Sequence, residues 1–276
     1  MGIGKMLKSI VKPVLGKLAL WAFPNRAKLI EKTIGDATSY GLLNRIIRAG
    51  LIRNIKEHDR LALLHHSFWT GTAGIRFHKK AGKRFENWFL TGHVSIVDEL
   101  ERLIESNKRK YKYLYEIGCG DGQVINYLSN RLKSIEHFVG IDINADVIAL
   151  NNQYCMNENL EFTCGNATEW ICKNGRPKAI FFTNGGVLEY FSKKQITDLL
   201  KKITIDLKPS VFAIIEPLAT NYNLETETDS RIFGNEFSFS HNYKKLFMTN
   251  GFTILYQRET MTGGHRWILM LSKTQE

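Results

Sequence analysis

Along the first 110 positions apolar residues return every three or four places, the spacing that lays one apolar stripe along a helix. Ser95-Ile96-Val97-Asp98-Glu99-Leu100-Glu101-Arg102-Leu103-Ile104 carries the pattern most clearly, and it predicts helices over His93–Ser106 and Ala37–Arg53. Between them runs an aromatic and basic stretch: His65-His66-Ser67-Phe68-Trp69, Arg76-Phe77-His78-Lys79-Lys80 and Arg84-Phe85-Glu86-Asn87-Trp88-Phe89. Lys108-Arg109-Lys110 reads as a solvated linker.

Beyond residue 111 the rhythm becomes strand, turn, helix. Short apolar runs predict strands at Lys112–Ile117, His137–Ile141, Leu160–Thr163, Lys178–Thr183 and Val211–Ile215. Helical spacing lies between them, through Val124–Leu128, after the Asn144-Ala145-Asp146 cap and over Lys193–Ile203. The tail predicts a helix over His241–Thr249 and strands over Gly251–Arg258 and Arg266–Leu271. Such alternation implies an α/β fold with a doubly wound, mostly parallel sheet. The short link between the last two strands allows an antiparallel pair at the edge. Three parts are expected: a basic amphipathic segment (1–35), a helical lid or substrate-binding extension (36–110) and the α/β domain (111–276).

Charge changes this picture more than composition does. The 276 residues are 43% hydrophobic, with no repeat, low-complexity tract or collagen-like pattern. The net charge of +11 is lopsided: residues 1–110 hold 21 basic against 9 acidic side chains, and residues 111–276 hold 17 against 18. That asymmetry suits an anionic partner for the first part, such as a membrane surface, a nucleic acid or a phosphorylated substrate; a well-solvated helical surface is the alternative. Lys5, Lys8 and Lys12 share one helical face, with Met6, Leu7, Ile10, Val11 and Val14 on others. Residues 1–25 thus resemble an interfacial helix on anionic lipid, or a face that packs on the protein's own body. Lysines inside the apolar stretch, Pro13 and Gly16 argue against a signal peptide, and the uncharged run Leu18–Asn25 is too short to span a bilayer. Cys119, Cys155, Cys164 and Cys172 form no zinc-type pair and suit a reducing cytosol, so no metal is expected and the chain is placed in the cytoplasm, with a peripheral membrane position open.

The candidate chemistry centres on Glu116-Ile117-Gly118-Cys119-Gly120-Asp121-Gly122 after the first predicted strand. A dinucleotide fingerprint would place a third glycine at 123, which is Gln, and no Lys-Ser or Lys-Thr follows to make a phosphate-binding P-loop. The E-x-G-x-G-x-G spacing resembles the first motif of class I S-adenosylmethionine (SAM)-dependent methyltransferases. Asp142, ending the second strand, matches the acid that binds the ribose hydroxyls, and Gly165-Asn166-Ala167 resembles the family's Gly-Asp-Ala, with an amide in place of the acid. The resemblance covers residues 111–276 and implies a seven-stranded sheet and a SAM cofactor. Glu116, Gly118, Cys119, Gly120, Gly122, Asp142, Ile143, Asn166, Ala167, Asn184 and Gly185 would line its site, Cys119 as a small spacer without chemistry.

The resemblance also places groups near the transferred methyl at Asn184-Gly185-Gly186-Val187-Leu188-Glu189-Tyr190. An alcohol acceptor needs a general base, for which His241 is the first candidate, Glu189 the second and His93 a third that also covers the cofactor. Three acceptor classes stay open: a sugar or lipid-linked glycan hydroxyl, with Phe68–Phe89 and Tyr222–Asp229 as walls; a nucleic acid, against which no Asn/Asp-Pro-Pro-Tyr motif is present; and a small metabolite or protein side chain. A non-catalytic SAM-binding scaffold is the alternative outside enzymology.

Overall fold

Nine strands follow in chain order: β1 (Tyr113–Ile117), β2 (His137–Asp142), β3 (Leu160–Cys164), β4 (Ala179–Asn184), β5 (Val211–Leu218), β6 (Arg231–Phe233), β7 (Ser238–Ser240), β8 (Phe252–Thr262) and β9 (His265–Thr274). Seven form one sheet in the order β3-β2-β1-β4-β5-β9-β8. The first five of these run parallel, and β9 inserts antiparallel between β5 and β8. The order reverses beside β1, which opens a crevice at the carboxyl ends of β1 and β4, where ligands bind in doubly wound sheets. The structure, a computed structural model, describes residues 15–31, 41–54, 58–80, 83–107, 111–155, 157–234 and 236–275.

The sheet is buried on both faces, which is why its central strands are apolar runs rather than alternating ones. All eight residues of β5 are buried. Alternation of side chains still sorts the core into two layers. Tyr115, Ile117, Phe181 and Phe212 pack with α9 (Ala167–Asn174), α10 (Lys193–Asp206) and α11 (Tyr243–Thr249). Leu114, Phe138, Ile180 and Phe182 pack with α6 (Ser95–Ser106) and α7 (Gln123–Arg131).

The first part of the chain is helical, as its spacing predicts: α1 over residues 15–22, α2 (Pro24–Glu31), α3 (Leu42–Asn54), α4 (His58–Thr70) and α5 (Thr72–Lys80). α1 lies so close to α3 that a Cβ on Gly16 would sit 2.8 Å from the Gly50 Cα, so only glycine permits this crossing. α4 and α5 dock on the α/β domain through Asn144, which caps α8 (Ala145–Tyr154) and donates from Nδ2 to the carbonyls of Trp69 (2.8 Å) and Gly71 (3.2 Å). Ser192, the N-cap of α10, hydrogen-bonds to Asp59 of α4.

Several boundaries differ from expectation. The helix expected from His93 begins at Ser95, because Phe85–His93 winds as a wider π-helix that turns Phe89 and His93 inward. The helix expected from Ala37 is seen from Leu42, and residues 37–40 lie outside the described residues, as do the Lys108-Arg109-Lys110 linker and Lys5, Lys8 and Lys12. The last two strands are longer than predicted. Gly263 (φ 59°) and Gly264 (φ 76°) supply the two positive φ values of a tight hairpin turn, letting β8 and β9 pair up to the turn. The small hairpin β6–β7 was not expected at all. Among the described residues no helix is long and apolar enough to cross a membrane.

Candidate active site

β1 runs straight into the glycine turn. Gly118, Gly120 and Gly122 all hold positive φ (69°, 51° and 74°), where a Cβ would be strained. The turn is pinned from β2: the N–H groups of Gly118 and Cys119 donate to Ile141 O (2.8 and 3.1 Å), and that of Gly120 donates to Asp142 Oδ2 (3.0 Å). Asn151 Nδ2 donates to Gly120 O (2.7 Å).

The turn forms one wall of a cavity of about 230 Å³ at the carboxyl ends of β1, β2 and β4. Glu116, Gly118, Cys119 and Gly120 line it, with Asp142 and Ile143 after β2. Asn166 and Ala167 line it after β3, and Asn184 and Gly185 after β4. Gly122 does not reach the cavity. Its place is dictated by packing, since a Cβ there would come within 2.7 Å of the Phe162 ring. Asn166 has two duties, because its side chain also accepts from Glu169 N (3.3 Å) as the cap of α9.

Two buried acceptors in this wall have no partner: Glu116 Oε2 and Asn184 Oδ1. Burial and the nearby Asp121 push the Glu116 carboxyl well above the usual carboxylate range, with the Ile125 amide pulling the other way. A cationic ligand group would remove that tension, and SAM carries an ammonium. Asp142 has both oxygens engaged, by Gly120 N and by Asn144 N (2.9 Å), but a carboxylate oxygen can accept twice. The lining therefore fits SAM on charge and on acceptor capacity.

Residues 114–210 match a family described as "Methyltransferase domain". Residues 114–210 are similar to that methyltransferase domain. No curated protein matches the chain. The magnesium protoporphyrin IX methyltransferase of Synechocystis PCC 6803, solved with bound SAH, shares its fold at 13% identity and TM-score 0.53, over 77% of this chain and 99% of that one. The 1,6-didemethyltoxoflavin-N1-methyltransferase of Burkholderia thailandensis does so at 11% identity and TM-score 0.55, over 80% and 92%.

The methyltransferase domain does not bring the two expected catalytic groups to this cavity. His241 is fully buried behind the wall, with Nε2 against Phe191 O (3.1 Å) and Nδ1 against Ser230 Oγ (2.6 Å). Burial pulls its pKa down to about 3, and with both nitrogens occupied it has none left for a substrate. Glu189 also lies outside the lining. It is buried beside Gly186, Ser238 bonds to it, and burial raises its pKa well above the usual range, so it serves the packing behind the wall. The Tyr222–Asp229 loop is no wall either, because it is tied to the body: Tyr222 OH donates to Asp229 O (2.8 Å) and Asn242 Nδ2 donates to Leu224 O and Glu227 O.

His93 does line the cavity, at the end of the π-helix and against the Trp267 ring (4.9 Å between centroids). Burial holds its pKa down to about 4, opposed by a hydrogen-bond interaction with the Asn184 side chain, and Nε2 makes no hydrogen bond of good geometry. His78 of α5 lies over the glycine turn, 2.9 Å from where a Gly120 Cβ would be, and faces Asp142 and Asp121. Trp69, Phe77, Arg84, Phe85 and Trp88 complete the roof.

Glu216 of β5 carried no signal in the sequence. Fully buried, it accepts from the N–H groups of Val187 (3.0 Å) and Glu189 (3.3 Å) and so fixes the loop after β4. Burial raises its pKa to about 7 against these same hydrogen bonds. An acid inside an apolar strand looks like an error in the pattern until the free amides of the neighbouring loop are known.

Proposed function

We propose that this methyltransferase moves the methyl group of SAM to a hydroxyl acceptor, a sugar or lipid-linked glycan, in the cavity under the aromatic roof. The observation that carries the reading is His93: a buried neutral imidazole with an unpartnered Nε2, beside the end of β4. Such a nitrogen can accept the hydrogen bond of an acceptor hydroxyl and take its proton as the oxygen becomes nucleophilic. SAM supplies, when bound, an electrophilic methyl on a sulfonium. On the cofactor side Glu116 holds the ammonium, Asp142 the ribose hydroxyls and Asn166 the adenine. Gly118, Gly120 and Gly185 keep the backbone close. Trp69, Phe77 and Trp88 offer faces for the C–H groups of a sugar ring. Residues 36–110 act as the lid that keeps water from the sulfonium.

A membrane position fits the first helices. Leu18 is 57% exposed and Trp21 84%, with Leu15 and Phe23 also exposed beside Lys17, Arg26 and Lys28. Apolar side chains among cations match an anionic bilayer surface, and the reading places the enzyme on the inner face of a membrane. The tests are direct. Labelled methyl from SAM should enter sugar or glycolipid acceptors, and His93→Ala should lower kcat about 10²- to 10⁴-fold with the affinity for S-adenosylhomocysteine (SAH) kept. Incorporation only into nucleic acid, or an unimpaired His93→Ala enzyme, rejects the hydroxyl reading. Absence of SAH binding leaves the scaffold reading. Trp21→Ser should weaken sedimentation with anionic vesicles while neutral vesicles bind neither form.

A further inference from the structure

Arg84 stands out in the cavity roof. Its guanidinium lies over the Phe77 ring (4.2 Å to the centroid) and the Trp88 ring (5.0 Å). Both rings are braced: Phe77 by Trp69 (centroids 4.9 Å apart), and Trp88 by Trp267 (5.9 Å) and the Gly263 turn. Among the described residues the Arg84 guanidinium makes no ion pair and no hydrogen bond. The acids nearest in charge are Glu236 and Asp121, and each has another partner. Tyr190 donates its hydroxyl to Glu236, and Gln123 Nε2 donates to Asp121 Oδ2 (2.8 Å). Burial pulls the guanidinium below its ordinary value, the sign of a cation drawn from water without a full counter-charge. A guanidinium drawn onto ring faces without a carboxylate partner still offers its fork of N–H groups to a bidentate anion.

We propose that Arg84 is an anion clamp in the acceptor half of this cavity, and that the methyl acceptor carries a carboxylate or phosphate beside its hydroxyl. The inference rests on the cavity being the acceptor site of the proposed reaction. Arg84 lines the same space as Tyr190, Phe191 and Gln195, which follow β4, whereas the cofactor's ammonium falls to Glu116 at the end of β1. Two sources of anion compete for the clamp: the acceptor's own group and the carboxylate of the cofactor's methionyl part.

The experiment separates them. Calorimetry on the full chain measures SAH first, then phenyl phosphate, benzoate and neutral phenol on the SAH-loaded protein. The two anions are expected to bind at least tenfold more tightly than phenol at low salt. Arg84→Gln should erase that preference, and Arg84→Lys, which keeps the charge but not the fork, should recover part of it. SAH affinity should stay within about twofold in both variants. Anions that bind no better than phenol overturn the clamp, as does a preference unchanged in Arg84→Gln. A parallel loss of SAH affinity overturns the acceptor assignment and gives Arg84 to the cofactor's carboxylate. If the wild-type chain binds no SAH, the cofactor reading fails separately, and the anion titration of the ligand-free chain still decides the clamp.

Discussion

Glu116→Gln should make the ligand-free protein more stable and the cofactor complex weaker. The carboxyl is buried, its Oε2 has no partner, and desolvation with Asp121 and Asp142 nearby holds its pKa well above the ordinary value. In the unfolded chain this proton leaves at about 4.3. Above that pH the folded state binds more protons than the unfolded one, so Glu116 takes stability away as pH rises toward its folded value. Glutamine has almost the same shape and no charge to bury. The variant's Tm should therefore exceed the wild type's, with a gap that widens as pH rises from the unfolded value toward the folded one. Binding has the opposite sign. A hydrogen bond between a carboxylate and an ammonium contributes about 1.5–3 kcal/mol, so its loss should raise the SAH Kd about 10- to 100-fold. Calorimetry in buffers of different ionisation enthalpy supplies a second readout: an ammonium beside Glu116 lowers its raised pKa, so between the free and bound values wild-type binding releases protons that the variant's does not. Equal SAH affinity in the two proteins, or a variant Tm that never rises above the wild type's, refutes the placement of the ammonium at Glu116.

Asp142→Ala removes the acceptor for Gly120 N and Asn144 N as well as the ribose ligand, so SAH binding should be lost and Tm should fall; intact affinity in calorimetry rules out Asp142 as a ligand. The histidines make the fold acid-sensitive. His241 titrates at about 3 and His65 at about 4, both lowered by burial, so each contributes stability that is full above pH 6.5 and is lost as pH falls toward the folded value. The loss is about 1.4 kcal/mol per pH unit per histidine, and thermal melts from pH 7 to pH 5 should show Tm falling less steeply in His241→Asn. Asn144→Ala should cost about 2–4 kcal/mol, from a lost cap of about 1 kcal/mol and two lost tethers of about 0.5–1.5 kcal/mol each. Urea unfolding measures the total, and faster proteolysis within α4 and α5 shows that the tether was broken.

Much of the site was legible because its cofactor half is local in the chain. Glu116 to Gly122 is one turn whose φ values demand glycine, Asp142 ends the next strand, and the strand–helix rhythm dictates a parallel sheet whose carboxyl ends face one crevice. Fold class and the glycine-turn wall of the cavity follow from such short-range patterns. The acceptor half is long-range. His241 looked catalytic because it opens a helix near the strand ends, but its side chain points into the core under Phe191, and no periodicity reports that direction. His93, Arg84 and Trp88 reach the cavity only because a π-helix alters the spacing of side chains along residues 85–93 and because Asn144 pins α4 and α5 over β2. Which side chains meet across 75 residues of sequence is a matter of packing, and packing belongs to the tertiary structure alone.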